Sequence, residues 1–243
     1  MSLLYCLLIA ALLCQFPKFI QKNRAALYTL ATTITIVVTT YEMIRLFSGF
    51  QLQGFIRELE RAVSHGVISI ALFIPVMFAG ALNNRWNYTR KLMSIRAPLA
   101  IIASILMLAH GFVYLVRFLV RVSSMLSSDE ATVLRKTIYL SYSVIGIIAF
   151  IVMIPLFITS FRKVRSRIGG AKWRKIQRWA YLFYLLAYLH VLLILIMDKD
   201  TDWLRLVLYT GIFGSYTILR LMKYKAANVM SQARVSKGVR TAE

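Results

Sequence analysis

Acidic residues are scarce in this chain: 9 Asp and Glu stand against 30 Lys and Arg, which gives a net charge of +21 over 243 residues. Charged residues of both signs make up only 16% of the sequence, whereas 59% is hydrophobic. A soluble domain of this size cannot cover so much apolar surface, so the composition predicts a membrane protein. Membrane topology and anionic lipid headgroups then explain the basic residues, and no nucleic-acid binding is predicted.

Cysteines are few, and nucleotide-binding motifs are missing. Cys6 and Cys14 lie eight residues apart in one apolar run, a spacing that disfavours a disulfide within a straight helix and forms no metal motif. The chain has no G-x-G-x-x-G or P-loop pattern, and no connection between apolar runs is long enough for a soluble domain. We therefore expect the chain to act within the membrane or through partners.

Seven apolar runs have about the length that crosses a hydrocarbon core. They cover 2–20, 25–48, 62–83, 97–120, 134–161, 178–197 and 203–222. This pattern predicts an all-α polytopic membrane bundle of seven transmembrane helices. We divide it into an additional N-terminal helix at 1–22, a helical domain at 25–224 and a basic tail at 225–243.

The charges of the connections predict the orientation of these spans. Basic connections alternate along the chain with balanced or acidic ones, as the positive-inside rule requires. The basic segments are 18–24, 85–96, 162–178 and the C-terminal tail, and the others are 51–61, 123–136 and 198–203. We expect a multi-pass protein of the cell membrane with its N-terminus outside and its C-terminus in the cytoplasm.

Two of the three histidines are predicted to lie at similar depth in the membrane. His110 follows Arg96 by 14 residues, or about 21 Å of helix, and His190 follows Arg178 by 12 residues, or about 18 Å. Both spans run from inside to outside. Ionisable residues at such depth are costly and are usually paired or functional.

This arrangement suits two neutral imidazoles that ligate one haem iron from its two axial sides. Gly111 and Ala187 are small neighbours that would leave room for a flat macrocycle, and Arg117 and Arg121 could pair with haem propionates. The alternative is that each histidine only hydrogen-bonds a neighbouring helix, and that the arginines reach for the membrane surface. His65 begins the third span near the outer surface, where a solvated or capping role is expected and a spare iron ligand is the alternative.

Two segments resemble a known family: RKLMSIRAPLAIIASILMLAHGFVYL around His110 and KWRKIQRWAYLFYLLAYLHVLLIL around His190. They are similar to the ferric-reductase-like transmembrane domain family, in particular to its MsrQ branch of haem-binding membrane subunits. The resemblance covers about residues 25–222. It implies a six-helix core with b-type haem, ligands on the third and fifth core helices at His110 and His190, and one extra helix at the N-terminus.

The chain departs from the family at the inner haem site. Gln177 stands where the family has a histidine thirteen residues before His190, and Arg96 stands fourteen residues before His110. The resemblance therefore implies one haem b. Gln177 lies about 20 Å below His190 along the helix axis. A further cofactor must carry electrons across this distance, such as FMN, FAD or a quinone at the cytoplasmic side.

The expected function is that of a transmembrane b-type cytochrome, the electron-transfer subunit of an oxidoreductase. It would pass electrons from a cytoplasmic flavin reductase or membrane quinol to an extracytoplasmic reductase or flavoprotein. The first alternative is a transporter or channel. The spans contain few acidic residues, which disfavours this alternative. Glu42 is the main exception, and it could pair with Arg45. The second is a haem-free structural anchor subunit, which would purify colourless.

Overall fold

The computed structural model describes residues 2–127, 132–197 and 203–240, which form α-helices and no strand. The helices are α1 Ser2–Gln15, α2 Pro17–Lys22, α3 Arg24–Ser48, α4 Gly54–Ser64, α5 Val67–Ala81, α6 Asn87–Ser127, α7 Val133–Ser160, α8 Arg162–Ile168, α9 Gly170–Gln177, α10 Ala180–Met197 and α11 Trp203–Arg240.

Four stretches of helix in these ranges are long and apolar enough to cross a membrane: Arg24–Ser48, Asn87–Ser127, Val133–Ser160 and Gly170–Met197. A fifth span is added if α4 and α5, which meet at a bend of 50°, cross as one broken helix. These segments coincide with the second to sixth predicted spans. The prediction of an all-helical, multi-pass membrane protein is confirmed, whereas the count of seven spans stays a prediction.

The first and last predicted spans differ from the others. Helix α1 has 14 residues, about 21 Å, which is short against a hydrocarbon core of about 30 Å, and α2 begins at Pro17. Helix α11 joins the predicted seventh span and the predicted tail in one helix of 38 residues. The acidic residues of the connections at 128–131 and 198–202 lie outside the described residues, so the orientation also stays a prediction.

Helix α6 lies at the centre of the bundle, where it packs against α3, α5 and α7. Helix α10 packs on the other side of α7, and α1 packs on α5. Ala71 and Ala79 of α5 and Ala103, Ser104 and Ala109 of α6 are buried, and such small residues let membrane helices approach closely. Large apolar side chains such as those of α3 and α7 face outward, where lipid would cover them.

The bundle has two ends that differ in their connections. We call the end that carries residues 49–66 the outer end, and the end that carries residues 82–90 and 161–179 the inner end, after the predicted orientation.

Candidate functional site: two facing histidines

His110 of α6 and His190 of α10 face each other in the outer half of the bundle. Their ring centroids are 6.2 Å apart and their ring planes are inclined by 79°. Two imidazoles that bind one metal ion through Nε2, with bonds of about 2 Å, have centroids about 6 Å apart. The centroid separation therefore fits one shared metal ion.

His110 is oriented by a break between α4 and α5. Gly66 has a left-handed backbone with φ of 73°, which ends α4 and starts α5 in a new direction. The break leaves the carbonyl oxygen of Ser64 open to a partner outside the helix, and His110 Nδ1 lies 3.0 Å from it. Helix ends need such partners for their last carbonyls. The broken helix thus supplies the group that holds the first imidazole.

His190 is oriented by an unbroken helix, α7, that has a glycine at the point of contact. Its Nδ1 lies 2.8 Å from the carbonyl oxygen of Tyr142, in the middle of α7. Gly146 stands one turn further along α7, and a Cβ at this position would come within 2.7 Å of the His190 ring. The glycine is what lets the imidazole approach the backbone of α7.

Both contacts determine which ring nitrogen is available for a metal. A carbonyl oxygen only accepts, so each Nδ1 donates its hydrogen and the lone pair of each neutral ring is on Nε2. Metal-binding histidines usually donate their other ring N–H to a carbonyl or carboxylate in this way. Both side chains therefore have the tautomer that a metal site requires.

Protein groups do not complete a metal site at this place. Among the described residues, no cluster of three or more His, Cys, Asp or Glu side chains could hold a metal ion. A structural zinc site needs four protein ligands and a catalytic one commonly has three. Two opposed imidazoles instead fit an iron whose other four ligands come from a porphyrin, so the donor set fits haem.

Comparison with known families decides what kind of membrane protein this is. The profile described as Ferric reductase like transmembrane component matches residues 65–188, just over half of the chain. The chain belongs to this family. The match begins at His65, includes His110 and ends two residues before His190. The resemblance inferred from the two histidine segments is thus confirmed.

Two curated proteins are similar to the chain. An uncharacterized protein of Treponema pallidum is 32% identical over 229 residues, which are 92% of this chain and 61% of that protein. The heme-binding subunit MsrQ of the protein-methionine-sulfoxide reductase from Rhodospirillum rubrum is 29% identical over 82 residues, 34% of this chain and 38% of its own length. The chain therefore spans about three fifths of the first relative and less of the second. No solved structure matches it.

The small residues predicted beside the macrocycle have different neighbours. A Cβ at Gly111 would meet the ring of Phe150 on α7 at 2.2 Å, so this glycine allows α6 and α7 to pack closely beside His110. Ala187, one turn before His190, is buried with 7% of its surface exposed. Their role toward a macrocycle stays a prediction.

The predicted arginines lie together at the outer end, around a pocket of about 260 Å³. Arg117 binds the buried carboxylate of Glu42, which also pairs with Arg45 at 3.3 Å. The predicted Glu42–Arg45 pair is confirmed, but the contact with Arg117 of α6 was not foreseen. Arg121 and His65 line the same pocket.

An aromatic side chain connects this pocket with the histidine pair. The Tyr114 ring lies 4.7 Å from the His110 ring and 6.1 Å from the His65 ring, between ring centroids. The Arg117 guanidinium lies over the Tyr114 ring, 5.2 Å from its centroid. His65 therefore belongs to the edge of the site, with Tyr114 between it and the histidine pair.

The inner end lacks an equivalent histidine pair. Gln177 donates to Thr159 Oγ1 at 3.0 Å, so it links α9 to α7. Gln177 and Arg96 also line an inner pocket of about 220 Å³, together with Tyr181, Tyr184 and Tyr216. Lys223 reaches this pocket but donates to the carbonyl oxygens of Gly80 and Leu82 at the end of α5.

The sequence predicted that His110 and His190 lie at similar depth, but it did not predict which groups orient the two rings. Gly66 and Gly146 carried a weak signal, because a glycine inside a long apolar segment often marks a close approach. The carbonyls of Ser64 and Tyr142 carried none, since any residue has one.

Proposed function

We propose that this chain is the haem-binding, electron-transfer subunit of a membrane oxidoreductase, with one haem b between His110 and His190. What supports this most directly is the pair of imidazoles with a centroid separation of 6.2 Å, each held through Nδ1 by a backbone carbonyl. Membership of the ferric-reductase-like family and the similarity to a heme-binding MsrQ subunit support the same cofactor.

Each group of the site has a separate task in this proposal. The haem would supply one-electron transfer. His110 and His190 hold the iron, and the Ser64 and Tyr142 carbonyls fix both rings and raise the basicity of Nε2. Gly111 and Ala187 leave space beside the ligands, and Arg117 and Arg121 bind the propionates.

The electron path runs from the cytoplasm outward in this proposal, through a seven-span chain of the cell membrane with its N-terminus outside. A cytoplasmic flavin reductase or membrane quinol is the donor, and an extracytoplasmic reductase or flavoprotein is the acceptor. The inner pocket is the place where FMN, FAD or a quinone would bind and replace the inner haem that the chain has no ligands for. Three tyrosines that line this pocket can stack on such a ring, and Arg96 supplies a positive charge beside them.

Haem content of purified protein tests this proposal. Wild-type protein should show a Soret band and a sharp reduced α band, and His110→Ala or His190→Ala should each abolish or strongly reduce haem retention. His65→Ala is the matched control and should keep most of the haem. Colourless wild-type protein would support the structural anchor instead, and full haem content in both ligand variants would disprove the assignment.

A further inference from the structure

The pocket at the outer end has an unusual excess of positive charge. Its lining includes His65 and five arginines: Arg45, Arg57, Arg61, Arg117 and Arg121. The positive-inside rule accounts for cations at the inner end of the bundle, and this pocket lies at the opposite end. Topology therefore does not explain why arginines from α3, α4 and α6 converge here.

Helix α4 is built to direct its charged face into this pocket. Phe55, Ile56 and Leu59 are 75%, 62% and 53% exposed, whereas Arg57 and Arg61, on the other side of the helix, line the pocket. A helix on the surface of a soluble protein has the reverse arrangement. The apolar face of α4 suits lipid at the membrane boundary, and its polar face forms a wall of the pocket.

The carboxylates near the pocket do not satisfy all of its arginines. Glu42 pairs with Arg45 and Arg117, and Glu58 pairs with Arg61 at 3.5 Å on the surface. Arg57 and Arg121 form no ion pair within the described ranges. The Nε groups of Arg57 and Arg117 are buried without an acceptor, and a buried donor without a partner costs about 1–3 kcal/mol.

Glu60 does not remove this excess. Its two carboxylate oxygens are buried with no donor group in reach among the described residues. Even if Glu42, Glu58 and Glu60 all carry a negative charge, five arginines face three carboxylates, so a positive excess remains.

The position of the pocket connects it to electron transfer. Arg117 lies over the face of Tyr114, and Tyr114 contacts His110. Arg117 and His65, which line the pocket, therefore contact Tyr114, and Tyr114 in turn contacts one proposed iron ligand. The arginines are also partly exposed, so that a group from outside the bundle can reach them.

We propose that this outer arginine pocket binds an anionic group, a carboxylate or phosphate, of the molecule that accepts the electron. The inference rests on the proposed function, and it adds the chemistry by which the acceptor is recognised. Arg45, Arg57 and Arg61 hold the anionic group, while Arg117 and Arg121 serve the propionates. In each transfer the haem iron loses one electron and the acceptor gains one, so no further reactant is required.

Two small acceptors of opposite charge test the proposal. Haem-loaded protein is reduced, mixed with ferricyanide or with hexaammineruthenium(III), and followed by the loss of the reduced α band. Arg57→Gln/Arg61→Gln should slow the reaction with ferricyanide by about tenfold or more, since local charge concentrates an anionic reactant. The reaction with hexaammineruthenium(III) should not slow. Arg135→Gln, an exposed arginine of α7 outside the pocket, is the control and should change neither rate.

Orthophosphate distinguishes the possible occupants of the pocket. It should inhibit the ferricyanide reaction of wild-type protein more than chloride at equal ionic strength, and it should lose this effect in the double variant. If the variant instead loses haem and orthophosphate has no effect on the loaded wild type, propionates fill the pocket and the inference is wrong. Equal slowing with both acceptors would also overturn it.

Haem-free protein gives a readout that is independent of electron transfer. Orthophosphate should raise the thermal unfolding midpoint of wild-type protein and not that of Arg57→Gln/Arg61→Gln, because ligands that bind only the folded state stabilise it. No shift in the wild type contradicts anion binding at this pocket. Failure of the wild type to bind haem would contradict the proposed function and leave this measurement intact.

Discussion

The two histidines of the site are held by the same chemical contact in two different ways. His110 donates to a carbonyl that a broken helix exposes, at Ser64 beside Gly66. His190 donates to a carbonyl inside an unbroken helix, at Tyr142, where Gly146 removes the side chain that would block access. A backbone carbonyl in a helix is normally covered, so a histidine can reach it only where the helix stops or where it lacks a Cβ.

Because of this difference, the two histidines should lose their orienting contacts through different substitutions. The contact of His190 with α7 depends on the absence of a Cβ at Gly146. The contact of His110 depends on the left-handed backbone at Gly66. We therefore expect substitutions at the two glycines to act through different physical effects, which can be separated with matched controls.

Among substitutions outside the two histidines, the largest effect is expected for Gly146→Ala. The new Cβ would lie within 2.8 Å of His190 Cε1 and Nδ1, and the ring must move away from the Tyr142 carbonyl. Loss of such a supporting contact typically costs 10–100-fold in metal affinity. Haem retention on dilution, measured from the Soret band, should fall accordingly. Gly214→Ala on α11, where nothing lies within 4 Å, is the control, and equal haem loss there would remove the proposed cause.

A smaller effect on haem is expected for Gly111→Ala, since Phe150 rather than a ligand occupies the space. Overpacking of this kind costs about 1–3 kcal/mol, so the thermal midpoint should fall. The double variant Gly111→Ala/Phe150→Leu should recover most of that loss. If it recovers stability but not haem, Gly111 has the additional role toward the macrocycle that the sequence predicted.

Gly66→Ala can be compared with a control, Gly49→Ala, that separates backbone strain from the contact with His110. A left-handed alanine costs about 1–2 kcal/mol, and a Cβ at residue 66 would also lie 3.2 Å from His110 Cγ. Gly49→Ala has the same backbone cost, with φ of 71°, but nothing within 4 Å of the new Cβ. Both variants should lose stability, and only Gly66→Ala should also weaken haem binding. Equal haem content in the two would show that the break does not position His110.

The smallest effect is expected at the inner end. Gln177→Ala removes the hydrogen bond to Thr159, worth about 1 kcal/mol. A slight fall in thermal midpoint with unchanged haem spectra is the expected result. A loss of haem absorbance would mean that the inner end also takes part in binding.

The sequence predicted the parts of this site that depend on regular helix geometry. Counting 1.5 Å per residue from Arg96 and Arg178 placed His110 and His190 at similar depth, and the two rings do face each other. The break at Gly66 was not predicted, because a single glycine near the start of the apolar run from 62 to 83 is only a weak signal. The ion pair of Glu42 with Arg117 joins residues 75 positions apart, and such contacts arise only from packing of α3 on α6.

The count of spans shows a second limit of sequence reasoning. The length of an apolar run does not show where the helix that contains it begins and ends. Residues 2–20 divide into α1 and α2 at Pro17, and residues 203–222 continue into a longer, more polar helix. Both departures arise where charged residues or proline lie close to the end of the run.

Helix α6 has 41 residues, so its length is about 60 Å, twice the thickness of a hydrocarbon layer of about 30 Å. Even when tilted, this single rod must project into the aqueous phase. The substitutions Tyr88→Cys and Met125→Cys would thus place one thiol near each end of α6. Membrane-impermeant labelling of each, from one side of sealed vesicles at a time, would reveal which way the whole protein is inserted.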